Sequence, residues 1–121
     1  MNNSSAKDQW PWPDSMDALA AAPDYHELVL EDHRVRVIIT HIPPGNIVPL
    51  HTHRWPGVAY LLSASHFIRR DEHGNVLLDS RRSDLPKTPH AQWLQPLPPH
   101  TVENIGDAEI RIYIVELKSQ P

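Results

Sequence analysis

From residue 25 onward the apolar residues of this chain fall in short runs, nearly every one cut off by proline, glycine, asparagine or aspartate. Proline fixes φ and lacks an amide donor, so 13 of them among 121 residues leave few places for a long helix. Residues 34–42 read Arg-Val-Arg-Val-Ile-Ile-Thr-His-Ile, and the opening alternation has the period of a half-buried strand. Similar runs occupy residues 25–31, 58–70, 76–81, 91–94, 100–105 and 109–118. Turn signals every 8–12 residues or roughly so indicate a sandwich or barrel, so the expected class is all-β. Residues 58–70 are long enough for two strand segments. Asp32-His33 predicts a tight turn, residues 71–75 a turn before an antiparallel return, and residues 106–108 the turn of a final hairpin. The one helix candidate is residues 14–23, with Ser15 as its cap, Asp17 in its first turn and Pro23 as its stop.

The length suits one domain, expected over residues 14–121 behind a flexible arm at residues 1–13. Trp10 and Trp12 each precede a proline in that arm; they belong either to a solvated tail or to an arm that docks on the body or on a second subunit. The absence of cysteine excludes disulfides, zinc–thiolate clusters and a thiol nucleophile. A net charge of −4, with the basic residues scattered, argues against nucleic acid as a partner. The polar N-terminal stretch lacks the apolar core of a secretory signal, and no run approaches the roughly 20 apolar residues that cross a bilayer. A cytoplasmic protein without membrane contact is the expectation.

Chemistry enters with the histidines. His51 and His53 lie two apart, and side chains at i and i+2 of a strand share a face. Pro49 and the Pro43-Pro44-Gly45 turn favour an extended segment there. Two neutral imidazoles can share one divalent metal, but a third ligand must come from elsewhere. His100 follows the rigid residues 96–99 and shares a strand face with Val102 and Asn104. His26, His33, His66, His73 and His90 read as surface or internally satisfied residues, and His41 as a buried strand histidine.

Residues 45–53, a glycine, five residues and then His-x-His, resemble the first motif of the cupins. His100 and Asn104, separated by three residues, resemble the end of the second. The resemblance covers roughly residues 25–118, and residues 42–71 are similar to small bacterial cupins associated with β-alanine degradation. It implies an RmlC-like, cupin-type double-stranded β-helix: a jelly-roll barrel, here with one short N-terminal helix, whose mouth holds a metal. His51, His53 and His100 are the ligands so implied. The chain departs from the pattern where the family carries a glutamate ligand: Gly57 and Val58 stand there. Pro89, Gln95 and Leu97 replace the glycine, proline and glycine of the second motif. Glu103 cannot substitute, because it alternates to the face opposite His100.

Three neutral imidazoles leave the full charge of a divalent ion, which favours an anionic, chelating ligand. Fe(II) is the preferred cofactor; zinc, manganese, nickel and copper suit the same donors. The implied function is a metal-binding cupin acting as an oxygenase-like enzyme on a small carboxylate-bearing metabolite. A non-catalytic ligand-binding or regulatory cupin is the alternative. A metal-free isomerase with a histidine base is a third reading, which needs an orienting carboxylate. Val58, Tyr60 and Leu62 share one strand face, expected to line the pocket with Tyr60 as the catalytic hydroxyl. Trp55 is expected to roof the site and Trp93 to be core. Arg54, Arg69, Arg70 and Arg111 are the candidates for holding a substrate carboxylate. The last strand is apolar on both parities, so one face should fill the barrel and the other be covered in a homodimer.

Overall fold

The alternation of the sequence is most completely realised at Val35–Ile42, where Arg36, Ile38, Thr40 and Ile42 are buried and the residues between them are not. A computed structural model describes residues 10–118. They form nine strands: β1 (His26–Glu31), β2 (Val35–Ile42), β3 (Ile47–His53), β4 (Gly57–Ser63), β5 (Phe67–Asp71), β6 (Val76–Asp79), β7 (His90–Leu94), β8 (Leu97–Asn104) and β9 (Ile110–Leu117). The strands make two antiparallel sheets, ordered β1-β2-β9-β4-β7 and β3-β8-β5-β6. This is the cupin double-stranded β-helix expected from the sequence.

β2 and β9 pair without interruption from Val35↔Leu117 to Ile42↔Ile110. Their inward residues are Arg36, Ile38, Thr40 and Ile42 on one strand and Ile110, Ile112, Ile114 and Glu116 on the other. Ala22, Ile42, Val48 and Ile110 form the buried cluster at one end, with Phe67 and Val102 packed against it. Residues 58–70 do split into two strands, β4 and β5, which lie in different sheets. β1 and β2 are joined by the expected tight connection, where Asp32 accepts hydrogen bonds from the amides of Arg34 and Val35.

Three local expectations are corrected. Residues 100–118 do not form a hairpin, because β8 and β9 belong to opposite sheets. Asn104, fully buried, fixes that crossing: its side chain donates to the carbonyls of Ile42 and Ala108 and accepts from the amide of Gly106. A turn-like sequence thus changes sheet, because a buried amide satisfies the corner's backbone groups better than a ladder would. The helix candidate is a 3-10 turn (Asp14–Met16) followed by the single-turn α1 (Ala18–Ala21). Asp17, not Ser15, caps α1 by accepting from the amide of Leu19. No helix among the described residues is long and apolar enough to cross a membrane.

The third correction concerns β4. Its inward residues are Gly57, Ala59 and Leu61, so Val58, Tyr60 and Leu62 face outward and Tyr60 is 43% exposed. Trp93, opposite Val58 on β7, is 76% exposed rather than core. With Val37, Ile39, Tyr113 and Val115 these side chains make the outer surface of the larger sheet apolar. Residues 1–9 of the expected arm lie outside the described residues. Trp10 and Trp12 pack edge to face at 4.8 Å, and Trp10 lines a groove with Asp17, Arg36 and Trp55.

Candidate metal centre

The paired strands β3 and β8 carry the predicted ligands. His51 stands directly opposite His100, with ring centroids 4.3 Å apart. The ladder shifts register on both sides of that pair, and each shift contains a proline of the sequence, Pro49 on β3 and Pro98-Pro99 on β8. Proline cannot donate to a ladder, and a bulge re-aims the side chains beside it. Pro49 and Pro98 have a second effect. Nδ1 of His51 donates to the carbonyl of Pro49 at 2.7 Å, and Nδ1 of His100 to that of Pro98 at 2.7 Å. The same local device, Pro-x-His, fixes both rings.

His53 completes the expected set, its ring 5.1 Å from His51 and 5.8 Å from His100. Its Nδ1 lies 3.1 Å from Oε2 of Glu116. Glu116 is fully buried and also accepts from Nε of Arg36 at 2.6 Å. Arg36 in turn grips Asp17 with both terminal nitrogens, at 2.9 and 2.7 Å. A chain of charges thus runs from the cap of α1 through the core to the histidine.

The structure adds a candidate ligand that the sequence reading placed elsewhere. His26, at the start of β1, is 5% exposed and lies 4.9 Å from the His51 ring and 5.6 Å from the His53 ring. Its Nδ1 donates to the carbonyl of Ala22 at 3.0 Å. It is satisfied, as expected, but on one nitrogen only. Ligand atoms of His26, His51 and His53 all lie within 4.8 Å of one another, close enough to contract onto one ion with bonds of about 2.1 Å, whereas His100, the third histidine expected from the sequence, stands outside that trio.

All four imidazoles therefore have Nδ1 opposite an acceptor, which assigns the proton to Nδ1 and leaves the Nε2 lone pair free. Anchoring one nitrogen to a carbonyl or carboxylate is how metal-binding histidines are oriented. Burial keeps three of these rings, His26, His51 and His100, neutral. It pushes His51 down to about 2, helped by His100 and His53, and His26 down to about 4. His100 is lowered to about 3, again by burial first. A neutral nitrogen donor set of this kind fits a borderline divalent ion such as zinc or iron.

The place of the absent glutamate is also explained. Gly57 faces inward, and a Cβ there would run into the carbonyl of Val115 on β9. No side chain fits at that point, and Val58 faces the other way. An imidazole of the same sheet, His26 on β1, stands beside the cluster instead, across from His51 and His53 on β3.

The cavity beside the histidines measures about 310 Å³ and lies between the sheets. Its walls are largely apolar, including Ile42, Val48, Phe67, Leu78 and Ile110. Tyr60 is not among the lining residues, and neither is Trp55, whose ring sits 5.0 Å from the Arg36 guanidinium instead of roofing the site. Of the four candidate arginines, Arg70 pairs with Glu103 at 2.9 Å and Arg111 contacts Glu109 at 3.5 Å, while Arg54 lies beside Trp55. Arg69 lines the cavity.

Glu116 and Arg36 were missed, although the sequence carries a trace of them. Each is a charge at an inward position of a strand whose other inward residues are almost all apolar, and the register sets them opposite one another. His26 left no comparable signal, since only the sheet order brings β1 over the mouth of β3.

Comparison with solved structures agrees with the fold. A cupin domain from Bordetella pertussis superposes with a TM-score of 0.59 at 18% identity, covering 78% of this chain and 92% of that one. The polyketide cyclase RemF from Streptomyces resistomycificus gives 0.54 at 17% identity, over 84% and 70% of the two chains. An RmlC-like cupin family protein from Methanocaldococcus jannaschii gives 0.53 at 12% identity, over 76% and 77%. At these identities the likeness concerns the fold. No family model matches the sequence, and no curated protein does. Nothing among these neighbours supports an association with β-alanine degradation.

Proposed function

We propose that the protein is a metal-dependent enzyme that acts on a small carboxylate-bearing metabolite in the cavity between its sheets. The observation that carries this reading is the common orientation of four buried imidazoles, each tied through Nδ1 and each free at Nε2. His51, His53, His100 and His26 would hold one divalent ion. Fe(II) is the preferred ion, and when bound it supplies Lewis acidity and the means to oxidise the substrate with dioxygen.

The chain's own residues do the remaining work. Glu116 keeps the proton of His53 on Nδ1, and Arg36 donates to Glu116 and holds it in place within the core. The apolar walls exclude water and so strengthen every charge interaction at the histidines. A ligand set made only of imidazoles leaves much of the ion's positive charge in the cavity, which draws an anionic substrate into it. The apolar outer surface of the larger sheet supports a homodimer, and we place the protein in the cytoplasm.

A second reading is favoured by the Glu116–His53 contact alone. A histidine held by a buried carboxylate is a suitable proton carrier, and a metal-free isomerase would use His53 as its base. The two readings separate in one experiment. The purified, untagged protein is assayed for bound iron, zinc, manganese, nickel and copper, together with His51→Ala and His100→Ala variants. Near-stoichiometric metal in the parent, lost in both variants, is expected, with dioxygen consumption by the iron-loaded protein on a panel of small carboxylic acids. A parent that takes up no metal on reconstitution would sink the metal reading and leave the proton carrier.

A further inference from the structure

Two side-chain polar atoms among the described residues are buried without a partner: Oγ1 of Thr40 and Nε of Arg69. Both residues line the same cavity. Buried polar groups in folded proteins are almost always hydrogen-bonded, so two orphans on one cavity wall point to a polar group that arrives from outside the protein. They come from opposite sheets. Thr40 is on β2, opposite His26 in the ladder, and Arg69 is on β5, opposite Val102 of β8.

Arg69 stands apart from the other guanidinium groups near the site. Arg36 is matched by Asp17 and Glu116, Arg70 by Glu103 and Arg111 by Glu109. No carboxylate among the described residues lies within ion-pair distance of Arg69, although Asp84 lines the same cavity. The guanidinium carbon of Arg69 lies 5.8 Å from the centre of the Phe67 ring. Arg69 is half-buried with its Nε fully enclosed, so its charge is not compensated by the protein itself. Its planar fork matches a carboxylate in two parallel hydrogen bonds. Arg69 also neighbours the histidines, for it acts electrostatically on His100.

We propose that Arg69 is the anion-recognition residue of this cavity, and that the ligand is an amphiphilic monocarboxylate with its carboxyl group on Arg69 and its apolar body against Val48, Phe67 and Leu78. The carboxylate is captured by the arginine and not by the metal, which leaves the histidine end free for the rest of the ligand. Thr40 offers its hydroxyl to a polar atom at that end. This deepens the functional reading above and rests on it only in taking the cavity as the ligand site.

The probe is hexanoate, with hexanamide as its uncharged counterpart, titrated calorimetrically into metal-free and metal-loaded protein. Hexanoate is expected to bind both forms. Arg69→Gln should weaken it about tenfold or more, Arg69→Lys by less, and hexanamide should bind parent and variant alike. Metal content is expected to be unchanged in both variants, and the melting temperature of Arg69→Gln equal or higher, because a half-buried cation that the protein does not compensate has been removed. Equal hexanoate affinity in the parent and Arg69→Gln overturns the assignment, and so does a failure of hexanoate to bind the parent in either form. A variant that melts lower and loses both probes equally makes Arg69 a structural residue and overturns it too. The two readings fail separately. Protein that takes up no metal yet binds hexanoate through Arg69 keeps this assignment and loses the metal, and protein that takes metal while ignoring Arg69 does the reverse.

Discussion

Nδ1 of His53 lies 3.1 Å from Oε2 of Glu116, although the two residues stand on strands of different sheets. The contact crosses the sandwich and couples the candidate ligand to the core. Glu116 also holds Arg36, so removing it strands a buried guanidinium. Glu116→Ala is expected to cost about 3–5 kcal/mol of stability, the usual penalty for breaking a buried pair from one side. Metal affinity should fall roughly 10–100-fold, as for other groups that orient a ligand. Urea denaturation and competitive metal titration measure the two effects; a variant with parental metal affinity would show that His53 does not depend on this carboxylate.

His26 makes a sharper test of the ligand set. If it shares the ion, His26→Ala weakens metal binding to a degree comparable with His53→Ala. His33→Ala and His73→Ala, both on exposed turns, leave it unchanged. Parental affinity in His26→Ala would reduce the centre to the three histidines legible from the motifs.

The neutral rings also set a pH dependence. His26, His51 and His100 have folded-state values near 4, 2 and 3, below the ordinary 6.5. Below about pH 6.5 the unfolded chain therefore binds more protons than the folded one, and stability falls as the pH falls. Each ring contributes a slope of at most about 1.4 kcal/mol per pH unit, until the pH reaches its folded value. Metal-free protein should lose denaturation midpoint steadily from pH 6.5 to pH 4, and His51→Ala should flatten the curve. A midpoint independent of pH over that range would contradict the burial of neutral imidazoles.

Restoring the family's glutamate should fail. A side chain at Gly57 meets the carbonyl of Val115, so Gly57→Glu and Gly57→Ala are both expected to destabilise by about 1–3 kcal/mol without a gain in metal affinity. Val58→Glu, on the outer surface, should fold and bind metal as the parent does. Thermal melts with metal titration decide it; tighter binding in Gly57→Glu would mean that the strand can shift to admit a carboxylate.

The proposed homodimer is tested on the same outer surface. Trp93 is 76% exposed and Tyr60 43%. Trp93→Glu with Tyr60→Glu should change the melting temperature little and turn a dimer into a monomer in sedimentation. An unchanged sedimentation mass would place any dimer contact elsewhere.

Much of this architecture was legible before folding. Alternation along residues 34–42, the breaks at proline and the turn at Asp32 are local properties, and local sterics and hydrogen bonding decide them. The His51–His53 pair was legible for the same reason, since i and i+2 share a face wherever the chain is extended. Tyr60 shows the limit of such reasoning: a one-residue error in where β4 turns inward moves every side chain to the other face. The failed hairpin at residues 100–118 shows another, because Asn104 decides the sheet of each strand through contacts 62 residues away.

The sequence by itself thus determined an all-β chain, a rigid Pro-x-His segment on each of two strands, and a third histidine between them. Those features follow from periodicity and from backbone restriction, which need no distant partner. Only the tertiary structure decided that His26 joins the cluster, that Glu116 and Arg36 support it, that Gly57 leaves no room for a carboxylate and that Arg69 faces the cavity unpaired. Each of these depends on sheet order and register, and two sheets closing on one another bring together residues whose separation along the chain carries no signal of their contact.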